Sequence, residues 1–274
     1  MSNPVYTAKI IMARKSCGFW QKKMGASFLD FRAKQCQRMY RSGNFAKFSG
    51  LQAETGKKGG AMAGKTRKVS LGVADEPFDE GRHIIYVYSD DAERKKTMAR
   101  FFRQGLVEND RLLYMVDDIS SAEMVKELQE LGVDTDARIN DFDLYPGHYA
   151  CCPDAYFSAE FMLGVVARYY QSAMDQGYAG ARGIGEMSWA LVENRAQLED
   201  LLVYEARLNR VLQNHPLTTV CQYDAQRFDP AVIMDMLTIH PLMIVRGQLV
   251  KNPGFMEPER FLEKYRSQDN KGHA

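Results

Sequence analysis

The chain of 274 residues lacks any segment with the character of a signal peptide or a membrane span. Residues 1–12 are too few and too mixed in polarity to supply the apolar core of a signal peptide. No run of about 18 apolar residues occurs, so we expect no transmembrane helix. The cysteines number five, which is odd, and such a chain fits a reducing compartment. We therefore expect a cytoplasmic protein.

The chain also lacks the paired-cysteine motifs of common metal sites. No Cys-x-x-Cys occurs, and Cys17 and Cys36 lie 19 residues apart without a partner motif, which argues against a zinc finger. Cys151 and Cys152 closely follow His148, and vicinal cysteines can bind soft metals or switch by oxidation. No second metal pair supports that alternative. We therefore predict no metal site and no cofactor.

Acidic residues are almost absent from the first 70 residues. This segment holds 15 of the 36 Lys and Arg but only two of the 35 Asp and Glu. Such asymmetry favours an acidic partner, either DNA or an acidic protein. The pattern predicts a helix over Ser27–Arg41, but no second helix follows at the distance of a helix-turn-helix motif. The alternative is a solvated basic helix that docks on an acidic surface of its own chain or of a partner. The candidate contact residues are Lys22, Lys23, Arg32, Arg38, Arg41, Lys57 and Lys58.

Large apolar residues are also scarce in Gly56–Lys68, where glycine and lysine predominate. Such a stretch cannot pack a core and is typical of a flexible linker. We therefore divide the chain into three regions. Residues 1–78 form a basic, mostly helical extension with a linker at about 55–78, residues 79–265 form a folded domain, and residues 266–274 form a disordered tail.

From His83 onward, short apolar runs alternate with longer amphipathic stretches. Strands that alternate with helices form βαβ units, so we predict an α/β fold with a mainly parallel sheet flanked by helices. Ser89 is predicted to cap the first helix. The predicted strands are His83–Tyr88, Leu112–Val116, Ile139–Leu144, Ala179–Met187, Leu217–Tyr223, Leu242–Val245 and Leu249–Val250. The predicted helices are Ala92–Val107, Ala122–Leu131, Ala159–Met174, Gln197–Leu212 and Pro230–Ile239.

Polar residues cluster near the ends of these elements, where open α/β sheets bind ligands. Glu205 and Asn209 lie four apart on a helix and share a face. Cys221 and Tyr223 alternate with Gln222 and share a strand face. The candidate ligand-binding residues are His83, Tyr86, Tyr88, Glu186, Trp189, Glu205, Asn209, Cys221, Tyr223 and His240.

Each candidate also has a purely structural interpretation. Glu186 would cap the following helix and Trp189 would belong to the core. Glu205 would pair with Arg182 or Arg207. A lone histidine at an element boundary is commonly a structural residue, and aromatic residues in strands are commonly core.

Six motifs carry a resemblance to a known family. They are His83-Ile-Ile-Tyr, Leu-Leu-Tyr-Met-Val-Asp-Asp at 112–118, Gly-Glu-Met-Ser-Trp-Ala-Leu at 185–191, Tyr-Glu-Ala-Arg-Leu-Asn at 204–209, Cys-Gln-Tyr-Asp at 221–224 and His240-Pro241. Their order resembles the MEDS family, a sensory domain shared by methanogens, methylotrophs and the dichloromethane-dehalogenase repressor. The resemblance covers Phe78–Leu262. It implies a module that detects small, hydrocarbon-like molecules beside DNA-binding, histidine-kinase or anti-sigma-type partners, and hence signal input without turnover.

The run from Ile84 to Val116 resembles the first βαβ unit of RecA/KaiC-type ATPases. In those proteins the loop after the first strand is Gly-x-x-x-x-Gly-Lys-Ser/Thr, whose amides hold phosphates. Here Ser89–Arg94 contains three acids and no glycine, and carboxylates at a helix N-terminus repel a triphosphate. Gly64-Lys65-Thr66 does not follow a strand. We therefore expect a degenerate RecA/KaiC-like fold without a Walker A motif and no ATPase activity of the P-loop type.

These observations favour a signal-sensing protein that binds a small, hydrocarbon-like molecule, controls a transcriptional or signalling output, and is not an enzyme. A homodimer is left open. One alternative is an enzyme that uses Glu186 or Glu205 as a base and His83 or His240 as an acid. Another is a protein-binding scaffold. Convergence of these groups in a wet cleft would favour the enzyme, and a closed apolar pocket would favour the sensor.

Overall fold

The computed structural model describes residues 67–73, 77–116, 119–147, 157–191 and 195–269. The helix predicted over Ser27–Arg41 lies outside this part of the chain. So do the candidate contact residues from Lys22 to Lys58, and so do Cys17, Cys36, His148, Cys151 and Cys152. The described residues form the α/β fold that the sequence predicts, and none of their helices is both long and apolar enough to cross a membrane.

A sheet of seven strands forms the centre of the domain. Its spatial order is β5-β4-β6-β7-β3-β8-β9, and every neighbouring pair is parallel except β8 and β9. A separate antiparallel pair, β1 and β2, precedes it. The strands are β1 (Lys68–Val69), β2 (Phe78–Asp79), β3 (His83–Tyr88), β4 (Asp110–Val116), β5 (Phe142–Pro146), β6 (Gly180–Glu186), β7 (Thr218–Asp224), β8 (Leu242–Val245) and β9 (Gln248–Lys251).

Helices cover both faces of the sheet, as a parallel sheet requires. The α1 face buries a core that includes Phe102 and Tyr114, and the α5 face buries a core that includes Leu201 and Tyr223. The first face is covered by α1 (Asp91–Val107) and α2 (Ser121–Glu130), followed by the short α3 (Thr135–Arg138). The α5 face is covered by α4 (Ala159–Asp175), α5 (Arg195–Asn214), α6 (Pro230–Ile239) and α7 (Pro258–Asp269).

Side-chain caps set where the helices begin. Asp90, not Ser89 as predicted, caps α1, because its Oδ1 accepts hydrogen bonds from the amides of Ala92 at 2.8 Å and Glu93 at 3.1 Å. Ser120 and Glu123 form a reciprocal capping box at the start of α2. The strand and helix boundaries from β3 to β9 lie close to the predicted ones, because these local signals agree with the apolar pattern.

The domain extends beyond the predicted boundaries at both ends. Residues 67–73 were assigned to the linker, but β1 forms there, Leu71 is fully buried, and Arg67 binds Asp110 at 2.6 Å. At the other end α7 continues through Asp269, into the segment assigned to the tail. Both extensions form because a few apolar side chains, although their sequence neighbours are polar, are buried in the core.

Candidate functional site

The structure divides the predicted ligand-binding residues between the two faces of the sheet. Tyr88 and Glu186 lie at the carboxyl edge and line a cleft on the α1 face. Tyr86 belongs to the core of that face, and Trp189 to the core of the opposite face. The remaining six come together inside the domain on the α5 face, and we call them the buried cluster: His83, Glu205, Asn209, Cys221, Tyr223 and His240.

Four separate elements supply the buried cluster. His83 is the first residue of β3, and Cys221 and Tyr223 lie on the neighbouring β7. Their alternation with Gln222 places both on the α5 face, as the strand period predicts, while Gln222 approaches Arg94 on the other face. Glu205 projects from α5, and His240 follows the last residue of α6.

Glu205 is the centre of the cluster and is fully buried. Its Oε1 accepts a hydrogen bond of 2.7 Å from the Tyr223 hydroxyl. Its Oε2 lies 2.9 Å from His83 Nε2 and 3.5 Å from both Cys221 Sγ and His240 Nε2. The two alternative partners are elsewhere, because Arg182 binds Glu108 and Asp110, and Arg207 binds Glu160.

The two imidazoles of the cluster are stacked with their ring centroids 3.9 Å apart. His240 Nδ1 lies 2.7 Å from the carbonyl oxygen of Met236, which can only accept, so Nδ1 carries a proton. His240 Nε2 has no hydrogen-bond partner in the part of the chain that the structure describes. Asn209 fixes the backbone nearby by donating to the carbonyl oxygen of Ile239 at 3.1 Å.

Burial determines the ionisation of the cluster. Burial, together with the nearby His240, lowers the pKa of His83 to about 4. Burial opposes ionisation of Glu205, but the two imidazoles outweigh it and hold the pKa of this carboxyl below its usual range. Burial raises the pKa of the Tyr223 hydroxyl. At neutral pH, therefore, Glu205 is a carboxylate, His83 is neutral and Tyr223 is a hydrogen-bond donor.

The cleft lies where the carboxyl ends of β3, β4, β6 and β7 meet, at the edge where open α/β sheets bind ligands. Its volume is about 380 Å³. Among its residues are Tyr88 and Glu186, which sequence reasoning selected, and Arg94 and Tyr114, which it missed. The complete lining is Tyr88, Ser89, Asp91, Arg94, Lys95, Tyr114, Ile119, Glu186, Asp224 and Gln226.

Arg94 is the main organising residue of the cleft. Its guanidinium donates to the Tyr114 hydroxyl at 2.9 Å and to Asp91 at 2.8 Å, and it lies 5.3 Å from the centre of the Tyr88 ring. Nothing in the sequence marks Arg94, because it is one of several charged residues in the first turns of α1. Its position becomes apparent only when β4 is placed beside that helix.

The start of α1 differs from a phosphate-binding loop. In a P-loop the first amides of the helix point at phosphate oxygens. Here the amides of Ala92 and Glu93 donate to the Asp90 carboxylate instead. The acidic loop noted in the sequence therefore occupies the donors that a phosphate would use.

Trp189 does not form a wall of the cleft. It is 5% exposed, and its ring lies 4.8 Å from the ring of Phe157 in the core of the α5 face. Glu186 accepts a hydrogen bond from the Ser188 hydroxyl and borders the cleft on the α1 face. Trp189 is therefore a core residue, as its structural interpretation states. Glu186 lies at the edge of the sheet beside the cleft, as its functional interpretation states.

The proposed acid–base groups do not converge in a wet cleft. Glu186 and Glu205 lie on opposite faces of the sheet. Glu205 does approach His83 and His240, but Glu205 and His240 are fully buried, so a substrate in solution cannot reach them in this conformation.

The segment that contains both sites matches a known sensory family. The family model described as MEthanogen/methylotroph, DcmR Sensory domain (MEDS) matches residues 82–241, which is more than half of the chain.

A curated relative is the transcriptional repressor DcmR of Methylorubrum extorquens, which is 27% identical over 159 residues. The match covers 58% of this chain and 57% of the repressor, so it spans little more than half of that protein.

Two solved structures are similar to the chain at low sequence identity. The KaiC-like protein of Pyrococcus horikoshii OT3 is 15% identical with a TM-score of 0.49, covering 65% of this chain and 80% of that one. The flagellar accessory protein FlaH of Methanocaldococcus jannaschii is 12% identical with a TM-score of 0.48, covering 68% and 84%.

Proposed function

Because this chain belongs to the MEDS family of sensory domains, we propose that its cleft binds a small organic molecule and that binding controls a transcriptional output. The sensory and regulatory role follows from the family. One observation supports the choice of site. Every residue that lines the cleft falls within residues 82–241, the segment that the family model matches.

The lining of the cleft suggests the chemistry of the ligand. The rings of Tyr88 and Tyr114 and the side chain of Ile119 offer apolar contact. The charged lining residues are of both signs: Arg94, Lys95, Asp91, Glu186 and Asp224. A hydrocarbon derivative with one polar group would use both kinds of surface. This proposal keeps the small, hydrocarbon-like ligand that the family resemblance implies and adds a polar group to it.

A hydrogen bond across the cleft offers a route for the signal. Gln226, in the loop after β7, donates to the carbonyl oxygen of Ser89, in the loop after β3, at 2.9 Å. Both residues line the cleft, so a ligand that favours one arrangement of the two loops shifts the population of conformers. The output depends on the difference in ligand affinity between those conformers.

We propose that the output acts on DNA through the basic extension. The relative is named a transcriptional repressor, and the first 70 residues of this chain carry 15 Lys and Arg against two acids. Positive charge of this density favours DNA or an acidic protein as the partner.

The test is a thermal-stability screen of the full chain against short alcohols, methylamines, halomethanes, and acyl and aromatic acids. A ligand that binds only the folded state raises stability by RT ln(1 + [L]/Kd), about 2.7 kcal/mol at a hundredfold excess over Kd. We expect a shift with one class of small organic molecule. We expect the Arg94→Met variant to lose that shift relative to its own melting temperature.

The control is Arg103→Met, the same substitution at an exposed position of the same helix that does not line the cleft. This variant should keep the full shift. A screen without any stabilising compound, or an equal shift in Arg94→Met and Arg103→Met, would contradict the proposal.

A further inference from the structure

We propose that His83, Glu205, Cys221 and His240 form a binding site for a divalent transition-metal ion, with Zn²⁺ as the best match. The four residues each offer one ligand atom, and these atoms all lie within 4.8 Å of one another. Among the residues that the structure describes, they form the one such group of three or more. Imidazole, thiolate and carboxylate are the ligands that Zn²⁺ takes in proteins. This inference concerns the buried cluster and is independent of the cleft.

Three of the six spacings between the ligand atoms match those of a tetrahedral site, and all six are within 4.8 Å. Zinc–ligand bonds of about 2.0–2.3 Å place neighbouring ligand atoms roughly 3.3–3.8 Å apart. Here Glu205 Oε2 lies 3.5 Å from both Cys221 Sγ and His240 Nε2, and His83 Nε2 lies 3.3 Å from Cys221 Sγ. The separation of 2.9 Å between His83 Nε2 and Glu205 Oε2 is shorter, so these two side chains must move apart by a few tenths of an ångström.

Hydrogen bonds around the cluster orient two of the four ligands. His240 Nδ1 donates to the carbonyl oxygen of Met236, so the lone pair of a neutral ring lies on Nε2, which faces Glu205. That Nε2 is buried and has no hydrogen-bond partner among the described residues. The Tyr223 hydroxyl holds Glu205 Oε1 at 2.7 Å, which leaves Oε2 for the ion. The ring of His83 is held less firmly, since its Nδ1 makes no hydrogen bond of good geometry in the described part of the chain, although the Asn209 side chain is near enough to interact with the ring.

The charge of the ligand set matches that of the ion. A carboxylate, a thiolate and two neutral imidazoles carry a charge of −2, so a divalent ion makes the buried site neutral. Neutrality matters because an uncompensated charge in a low-dielectric interior is costly. The ion replaces the proton of the Cys221 thiol, which is released to solvent. The proton that His83 donates from Nε2 to Glu205 must move to Nδ1 of the same ring, so that Nε2 can bind the ion.

The position of the site indicates a structural role. All four ligands come from the protein, and Glu205 and His240 are fully buried, so no coordination position is open to a substrate. The ion would connect β3, β7, α5 and the end of α6. Metal binding would therefore stabilise the folded domain as a whole.

The test begins with elemental analysis of the full chain after expression with added zinc and exhaustive dialysis. We expect one zinc ion per chain. X-ray absorption at the zinc edge should show a single sulfur at about 2.3 Å and three nitrogen or oxygen atoms at about 2.0 Å. Absence of bound zinc, absence of sulfur, or two or more sulfur ligands would overturn the proposal. This measurement needs no variant, so it does not depend on whether a mutant folds.

A second measurement assigns the site by substitution. Protein refolded with Co²⁺ should show intense visible bands of a tetrahedral ion and a near-ultraviolet thiolate-to-cobalt band. The Cys221→Ser variant should lose the thiolate band, and the Cys151→Ser/Cys152→Ser double variant should keep it. The opposite result, with the band retained in Cys221→Ser and lost in the double variant, would overturn the proposal by assigning the ion to the vicinal cysteines.

Discussion

At the scale of single residues, Arg182 shows what a buried charge requires in this fold. Its side chain is fully buried, and its guanidinium donates to Asp110, to Glu108 at 2.8 Å and to the carbonyl oxygen of Ser70 at 2.6 Å. Arginine remains charged under all ordinary conditions, so these partners are needed for burial. The same contacts attach the segment before β2 to the sheet.

Substitution of Arg182 tests this role. Arg182→Met leaves the buried carboxylate of Asp110 with Arg67 as its one cation partner among the described residues, and it removes the contact with Ser70. We expect a loss of about 3 kcal/mol in the free energy of unfolding, measured with urea. Arg207→Met is the matched control. Its ion pair with Glu160 is exposed, so we expect a change below about 1 kcal/mol. Equal losses in the two variants would show that the Arg182 network does not stabilise the domain.

Individual residues were also where the sequence was least informative. The face shared by Cys221 and Tyr223 follows from the strand period, which needs only local information. The meeting of Glu205 with His83 and His240 could not be predicted, because it depends on which strands are neighbours and how α5 packs across them. For the same reason, local sequence patterns do not group four residues so far apart in the chain into one candidate set of metal ligands.

At the scale of elements, the start of α1 shows how one residue sets a boundary. Asp90 caps this helix through two hydrogen bonds, whereas Ser89 contributes a backbone carbonyl to the loop across the cleft. Only Ser89 was predicted to be the cap, although Ser and Asp are equally good N-caps and residue type alone does not distinguish them. Asp90 is the cap because it directly precedes Asp91, the first residue of the helix, whereas Ser89 lies one residue further away.

Alanine variants of Asp90 and Ser89 test which of the two residues caps α1. Asp90→Ala should lower the free energy of unfolding by about 1 kcal/mol, because two amides of α1 lose their acceptor. Ser89→Ala should change it by only a few tenths of a kcal/mol. Urea unfolding of both proteins gives the comparison. A larger loss in Ser89→Ala would mean that Ser89 is the cap.

Helix α7 was not predicted because its apolar residues are few. Phe261 is its buried anchor, at 5% exposure, and it stacks with Tyr265 at a centroid distance of 6.0 Å. A helix with one narrow apolar stripe has a weak sequence pattern, and most of its stability comes from tertiary packing. Strands β3 and β4, by contrast, were predicted because apolar runs mark them directly.

Phe261→Ala tests whether α7 belongs to the folded domain. Removing a buried phenylalanine side chain should cost about 3 kcal/mol, since a cavity remains in the core of the α5 face. The control is Glu263→Ala, at an exposed position of the same helix, for which we expect less than about 0.5 kcal/mol. Both values come from urea unfolding. If Phe261→Ala proved as harmless as the control, α7 would not be packed on the domain.

At the scale of the whole molecule, the two sites lie on opposite faces of one sheet. The cleft is open and lined mostly by charged and polar residues beside two tyrosines and one isoleucine. It therefore differs from the closed apolar pocket expected of a sensor, although its openness lets ligands exchange. The buried cluster is closed and offers four ligand atoms, as a structural metal site does. The sheet that separates the two sites follows from the alternation of strands and helices in the sequence. The family match shows that the domain has a sensory role.

The most direct test of the sensory account is amide hydrogen exchange of the full chain with and without the compound that stabilises it. The account predicts slower exchange at Ser89–Lys95 and Asp224–Gln226, the two segments that contribute to the cleft. It also predicts a change of exchange in the basic extension, which we propose carries the output. The same compound should leave these segments unchanged in Arg94→Met. Protection confined to other parts of the domain, with these two segments unaffected, would contradict the account.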